Sequence, residues 1–184
     1  MSLTLASASS ARRRLLEAAG LTFQVIPSVV NEASAKATYR AGGMKPRAQA
    51  EALAELKALS ISSQREGLVI GADQMLALGD LVMDKPRDAA EAREQLRALR
   101  GKTHELLTAV AVSRGNEIVW RHIDVPRLTV RAFSDAFLDG YIARAGERAL
   151  HSVAPTSSKG LAHNCLSVLR ATISPCSGCH CCRC

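Results

Sequence analysis

The chain has 184 residues and is 47% apolar, a globular composition long enough for one large domain or two lobes around a shared core, and not a disordered one. Lys and Arg outnumber Asp and Glu by 24 to 17, and the net charge of +7 suits a nucleotide, a nucleic acid or another polyanion. Aromatic residues make up 3%, too few for the stacking platforms of a single-stranded nucleic-acid binder, and no apolar run reaches membrane-spanning length. The first arginines follow the first apolar residues instead of preceding them, so no secretory signal is read and a cytoplasmic protein is expected.

Residues 3–6 read as a short first strand, and Ser7, Ser9 and Ser10 supply turn chemistry. From Ala11 the pattern is helical, with Leu15, Leu16 and Ala19 on one face, Gly20 as the stop and Ser10 as the expected N-cap. Arg12, Arg13 and Arg14 then fall in the first turn, where the helix dipole is already positive. Bare cations are mildly unfavourable there. Backbone N–H groups, serine hydroxyls and guanidinium groups at a strand-to-helix turn suit a phosphate, against the plainer reading of a solvated basic helix start.

Residues 22–26 predict a second strand ending at Pro27, and Glu32 follows the apolar pair Val29-Val30. Residues 33–43 are polar, end in Gly42-Gly43 and read as a loop or mobile lobe. Residues 45–59 predict a helix with Ala52, Leu53, Leu56 and Leu59 along one face and Lys57 beside it. Residues 68–73 form a buried-type strand ending in Asp73, and a charged residue at the carboxyl end of such a strand is a favoured place for chemistry in α/β proteins. A second apolar run delivers Lys85 before Pro86, which holds the lysine in an extended conformation.

Residues 89–99 predict a helix with Ala92, Leu96 and Leu99 inward, and residues 101–104 a turn into a strand at 105–112. Residues 117–130 continue as strands with Trp120 partly buried, and residues 133–145 form a last amphipathic helix carrying Phe137, Leu138, Tyr141 and Ile142. Strands alternating with helices predict an α/β fold.

Ser7-x-Ser9, Arg12, Leu15-Leu16, Glu32, Lys57-Ala58, Gly71-Ala-Asp73, Asp84-Lys85-Pro86 and Gly101-Lys-Thr-His104 occur in that order. The ordered set resembles the Maf family of nucleoside triphosphate pyrophosphatases over about residues 3–150. The resemblance implies a mixed α/β fold related to inosine triphosphatase, its twisted sheet splayed into two lobes around a central cleft. It implies a nucleoside triphosphate substrate, a divalent metal cation (Mg²⁺ or Mn²⁺), release of the monophosphate and pyrophosphate, and a possible homodimer. It makes Asp73 the proton acceptor that activates water, with Lys57 and Lys85 as catalytic cations. Ser7, Arg12 and Glu32 would bind substrate, and Glu32 with Asp73 would hold the metal. Neutralising the polyphosphate fits these residue types. The family often carries Pro-Arg where this chain has Ser10-Ala11, and Gln74 stands where pyrimidine-preferring members commonly carry Thr. Ala11 and Gln74 are therefore the specificity positions, and they resemble the 7-methyl-GTP branch.

All six cysteines lie in the last twenty residues, among them Cys176, Cys179, Cys181, Cys182 and Cys184. Read plainly, they are a zinc site on a basic nucleic-acid-binding module, although so many ligands in so short a stretch poorly suit one tetrahedral ion. The genetic code offers a second account. Cysteine codons begin TG and read as leucine CTG one base earlier after a C; histidine and arginine codons likewise become proline. Cys179-His-Cys-Cys-Arg-Cys184 then re-reads as Leu-Pro-Leu-Leu-Pro-Leu. The same shift carried back to Pro155 yields Ala-Tyr-Gln-Leu-Glu-Gly-Leu-Gly-Ala-Gln-Leu, the ending expected of the family. The sequence thus divides into a Maf-like domain at 1–152 and an out-of-frame, disordered or irregular tail at 153–184. A chain so altered is expected to be less stable and weakly active, at the extreme an inactive remnant that still binds nucleotide.

Overall fold

The computed structural model describes residues 2–145. The tail predicted at 153–184, with its cysteines and its expected irregularity, lies outside the described residues. The elements are β1 (Leu3–Leu5), α1 (Ser10–Ala18), β2 (Gln24–Val25), α2 (Glu32–Ala41), α3 (Pro46–Ser62), β3 (Leu68–Leu78), β4 (Leu81–Met83), α4 (Ala89–Leu99), β5 (Thr103–Arg114), β6 (Glu117–Asp124), β7 (Arg127–Thr129) and α5 (Asp135–Ala145).

One seven-stranded mixed sheet runs β2-β1-β3-β5-β6, with β4 added to β3 and β7 to β5. The long antiparallel pair β3–β5 is its spine, in register from Leu68 opposite Arg114 to Ala77 opposite Glu105. The other edge of β3 is shared. Parallel β1 takes Leu68 to Ile70, and antiparallel β4 takes Leu76 to Leu78. Among the described residues, 71–75 have no strand partner on that edge, so the sheet forks there and opens the expected cleft.

Strand alternation separates two cores. Met75 and Ala77 of β3 with Leu107, Ala109 and Ala111 of β5 face α3, meeting Ala50, Leu53, Ala54 and Ala58. Leu76 points the other way, toward Leu99 of α4 and Val130. Leu96 joins α4 to Leu138 and Tyr141 of α5, so the apolar faces predicted for these two helices are the ones buried.

Four local expectations are corrected. Residues 33–43 are not a loop. Asn31 caps a helix by accepting from Ser34 N at 3.0 Å, Glu32 is favourable in its first turn, and Gly42-Gly43 marks the stop rather than a flexible segment. Ser9, not Ser10, caps α1, accepting from Arg12 N. No residue of α1 is buried, and Leu15 on its apolar face is 71% exposed. In α3 the buried stripe is Ala50, Leu53, Ala54, Lys57, Ala58 and Ile61, which leaves Leu56 exposed and puts Lys57 inside the face instead of beside it. Asp73 sits in the middle of β3, not at its end, because the strand continues to Leu78. Trp120 is half-exposed on β6 and stacks on His122.

Candidate active site

Close packing of one glycine places the central residues. A Cβ on Gly71 would strike the Ala54 carbonyl and the Ala58 nitrogen, so only glycine lets α3 lie this close to β3. One turn along the same helix, Lys57 then reaches Asp73, two residues further along the strand on the same face. Lys57 Nζ donates to Asp73 Oδ1 at 2.7 Å and to Glu32 Oε1 at 2.8 Å. Lys57 and Asp73 are almost wholly buried, at 6% and 5% side-chain exposure, whereas Glu32 is 47% exposed. An ammonium group this deep needs such partners, because an unpaired buried charge is costly. Burial works to raise the Glu32 carboxyl, but the hydrogen bond from Lys57 and the charges of Lys57, Lys36 and Arg12 outweigh it, holding it below the ordinary carboxylate range. Asp73 Oδ2 is buried with no hydrogen-bond partner among the described residues, an acceptor left open beside the cleft.

The turn after β1 forms a second wall. Ser7 Oγ accepts from Ser9 N at 3.2 Å and from Arg12 Nη1 at 3.1 Å, which aims the guanidinium across the turn and leaves the Ser7 hydroxyl proton to donate. The three consecutive arginines divide: Arg13 pairs with Glu17 at 2.7 Å and Arg14 Nε donates to the Ser10 carbonyl, both outside the cleft.

A cavity of about 1130 Å³ at the sheet's fork collects Ser7, Ala11, Arg12, Glu32, Lys57, Asp73, Gln74 and Lys85, every site residue expected from sequence. Gln74 points to the opposite face from Asp73 and donates from Nε2 to Thr108 Oγ1 at 2.9 Å. His104 of the last motif is not at the site. It is buried on the α4 side of the sheet, with both ring nitrogens lacking a hydrogen-bond partner among the described residues. Three lining residues were missed: Lys36 and Arg40 on α2, and Asp84 just before Lys85. Lys36 Nζ donates to Asp84 Oδ1 at 2.9 Å and Arg40 Nη2 to Asp84 Oδ2 at 2.6 Å. Their signal was spacing: Glu32, Lys36 and Arg40 stand four residues apart, one face of a helix.

Among the described residues, Arg12, Lys36, Arg40, Lys57 and Lys85 thus face three carboxylates, a surplus of two positive charges in the cavity lining. Among the described residues no three His, Cys, Asp or Glu side chains gather as a metal cluster. The arrangement is that of a protein that takes a polyanion into a cleft and holds a carboxylate against it.

The comparisons agree. The profile of the Maf-like protein family matches residues 2–166. A nucleoside triphosphate pyrophosphatase of Caulobacter vibrioides is 49% identical over 150 residues, covering 82% of this chain and 75% of that one. Another, of Paramagnetospirillum magneticum, is 48% identical over 158 residues, 85% of this chain and 81% of that one. A 7-methyl-GTP pyrophosphatase of Rhizobium meliloti is 43% identical over 159 residues, 86% of this chain and 80% of that one. The chain belongs to the Maf-like family. No helix among the described residues is long and apolar enough to cross a membrane.

Proposed function

We propose that the chain hydrolyses a nucleoside triphosphate to the nucleoside monophosphate and pyrophosphate. The observation that carries this is the unpartnered Oδ2 of Asp73, a buried carboxylate oriented by Lys57 in the wall of a cleft of surplus positive charge. Asp73 accepts a proton from the water whose oxygen attacks the α-phosphorus; the bond from that phosphorus to the bridging oxygen of the β-phosphate breaks, and pyrophosphate leaves with the electron pair. Lys57 holds the Asp73 carboxyl group in place through the 2.7 Å contact, at a benefit of roughly 10²–10⁴-fold for a positioned base. Arg12, Lys85 and the Ser7 hydroxyl oppose the charge that grows on the phosphoryl oxygens.

The residues fit a divalent cation. Magnesium is commonly held by one or two carboxylates together with substrate phosphates, and Glu32 with the Asp73 carboxylate would supply that donor set. A nucleoside triphosphate carries roughly four negative charges; one divalent ion brings that close to the two positive charges of the cavity. When bound, the ion would neutralise phosphate oxygens and fix the chain's geometry. Gln74 and the lack of a cation at Ala11 favour 7-methyl-GTP over pyrimidine nucleotides, and a relative named 7-methyl-GTP pyrophosphatase is among those that resemble this chain.

Pyrophosphate release from 7-methyl-GTP, GTP, UTP and dTTP with Mg²⁺ or Mn²⁺ tests the reading. Turnover is expected, highest on 7-methyl-GTP, and Asp73→Asn should remove at least about 100-fold of kcat. Nucleotide binding without hydrolysis would mark the inactive remnant, and equal turnover by Asp73→Asn would refute the assigned base.

A further inference from the structure

We propose that Lys36 and Arg40 of α2 seat the departing pyrophosphate end of the substrate, and that Asp84 is the counter-ion they exchange for it. This rests on the pyrophosphatase reading and deepens it by assigning the direction in which the polyphosphate lies. Glu32, Lys36 and Arg40 share one face of α2, so the two cations stand roughly 6 and 12 Å along the helix axis from Glu32, which meets Lys57, the partner of Asp73. A polyphosphate whose α-phosphorus lies at Asp73 is led along this wall. Both cations converge on a single carboxylate, and Lys85, next in the chain and also lining the cavity, has no ion-pair partner among the described residues.

The Arg40–Asp84 bridge is the more exchangeable of the two, since Lys36 is 19% exposed. Arg40 and Asp84 are 42% and 43% exposed, and ion pairs of that exposure are weakly held. No residue of α2 is buried, so the salt bridges cross the cavity from a helix with a light hold on the core. An oxyanion with several charges offers both cations more acceptors than one carboxylate can. Among the described residues no aromatic side chain lines the cavity, and this stretch of wall holds charged groups and Ala37, a poor platform for a base. The nucleoside therefore belongs at the other end.

Calorimetric titration of the full chain with inorganic pyrophosphate, and separately with GMP, tests this without requiring turnover. Lys36→Gln and Arg40→Gln should each weaken pyrophosphate binding by about fivefold or more and GMP binding by less than about twofold. Asp84→Asn should tighten pyrophosphate binding by about threefold, because the cations no longer have to leave a partner. A bridge that merely braces α2 predicts that all three substitutions act in one direction. The proposal is overturned if wild-type chain binds no pyrophosphate, if both ligands weaken alike, if the cation variants stay within twofold, or if Asp84→Asn weakens binding. Should a cation variant fail to fold, Asp84→Asn decides alone. Absence of turnover in the wild type would overturn the pyrophosphatase reading, while the calorimetry would still decide the anion seat.

Discussion

Lys57→Met removes the cation that touches both Asp73 and Glu32, and burial decides what that costs. Lys57 and Asp73 are 6% and 5% exposed, so the 2.7 Å pair lies out of water and its loss strands a carboxylate in the core. Breaking a buried pair by deleting one partner costs about 3–5 kcal/mol. Glu32 is 47% exposed, and water rescues its carboxylate when Lys57 goes, so its share is about 0–1 kcal/mol. A total loss of about 3–5 kcal/mol is a large part of an ordinary domain's stability. Almost all of it should come through Asp73. The double variant Lys57→Met/Asp73→Asn should therefore recover most of the loss, and Lys57→Met/Glu32→Gln less than about 1 kcal/mol. Urea unfolding followed by circular dichroism reads this as a shift of midpoint at constant slope. A single-variant loss under about 1 kcal/mol, or rescue through Glu32 instead of Asp73, would refute the account of the buried pair.

Gly71→Ala should drive α3 off β3 at the Ala54 and Ala58 backbone, lowering stability by about 1–3 kcal/mol. It should also cut kcat by more than that loss explains, since Lys57 moves with the helix; an unfolding curve and a turnover assay on one sample separate the two. His104 is buried without partners among the described residues, and burial holds its imidazole below the ordinary value of 6.5. The unfolded chain then binds more protons, so stability should fall as pH drops through 6.5 toward the folded value, and His104→Leu should flatten that slope in melts taken from pH 8 to 5. Nucleotide sequencing across codons 150–155 should show a one-base change; an uninterrupted frame whose third bases forbid the re-reading would dispose of the out-of-frame tail. A frame-corrected chain should melt more cooperatively and at higher temperature than the printed one.

How far the site was legible depended on which signal each residue left. Ser7, Arg12, Glu32, Lys57, Asp73 and Lys85 were found because an ordered set of short motifs named them, although they come from the turn after β1, α1, α2, α3, β3 and the turn after β4. Lys36 and Arg40 went unseen because a polar stretch ending in Gly42-Gly43 was read as a loop. On a helix whose apolar contacts are few, polarity hides helical spacing. The misplaced face of α3 has a related cause. Alanines make the buried stripe, and only packing against the small residues of β3 and β5 distinguishes it from its neighbours. The periodicity of α4 was clear because Leu96 and Leu99 contrast with charged neighbours.

Local pattern alone determined the α/β class, most element positions and the identity of the charged residues, since propensity, capping and apolar spacing act within a few residues. Tertiary structure decided what those charges do. Asp73 became a buried acceptor because β1 and β4 share one edge of β3 and leave a gap at its side. Lys57 became its partner because Gly71 allows α3 to close on the strand. Such placement depends on groups far apart in the chain excluding water from the same small volume, and no local window of sequence carries that information.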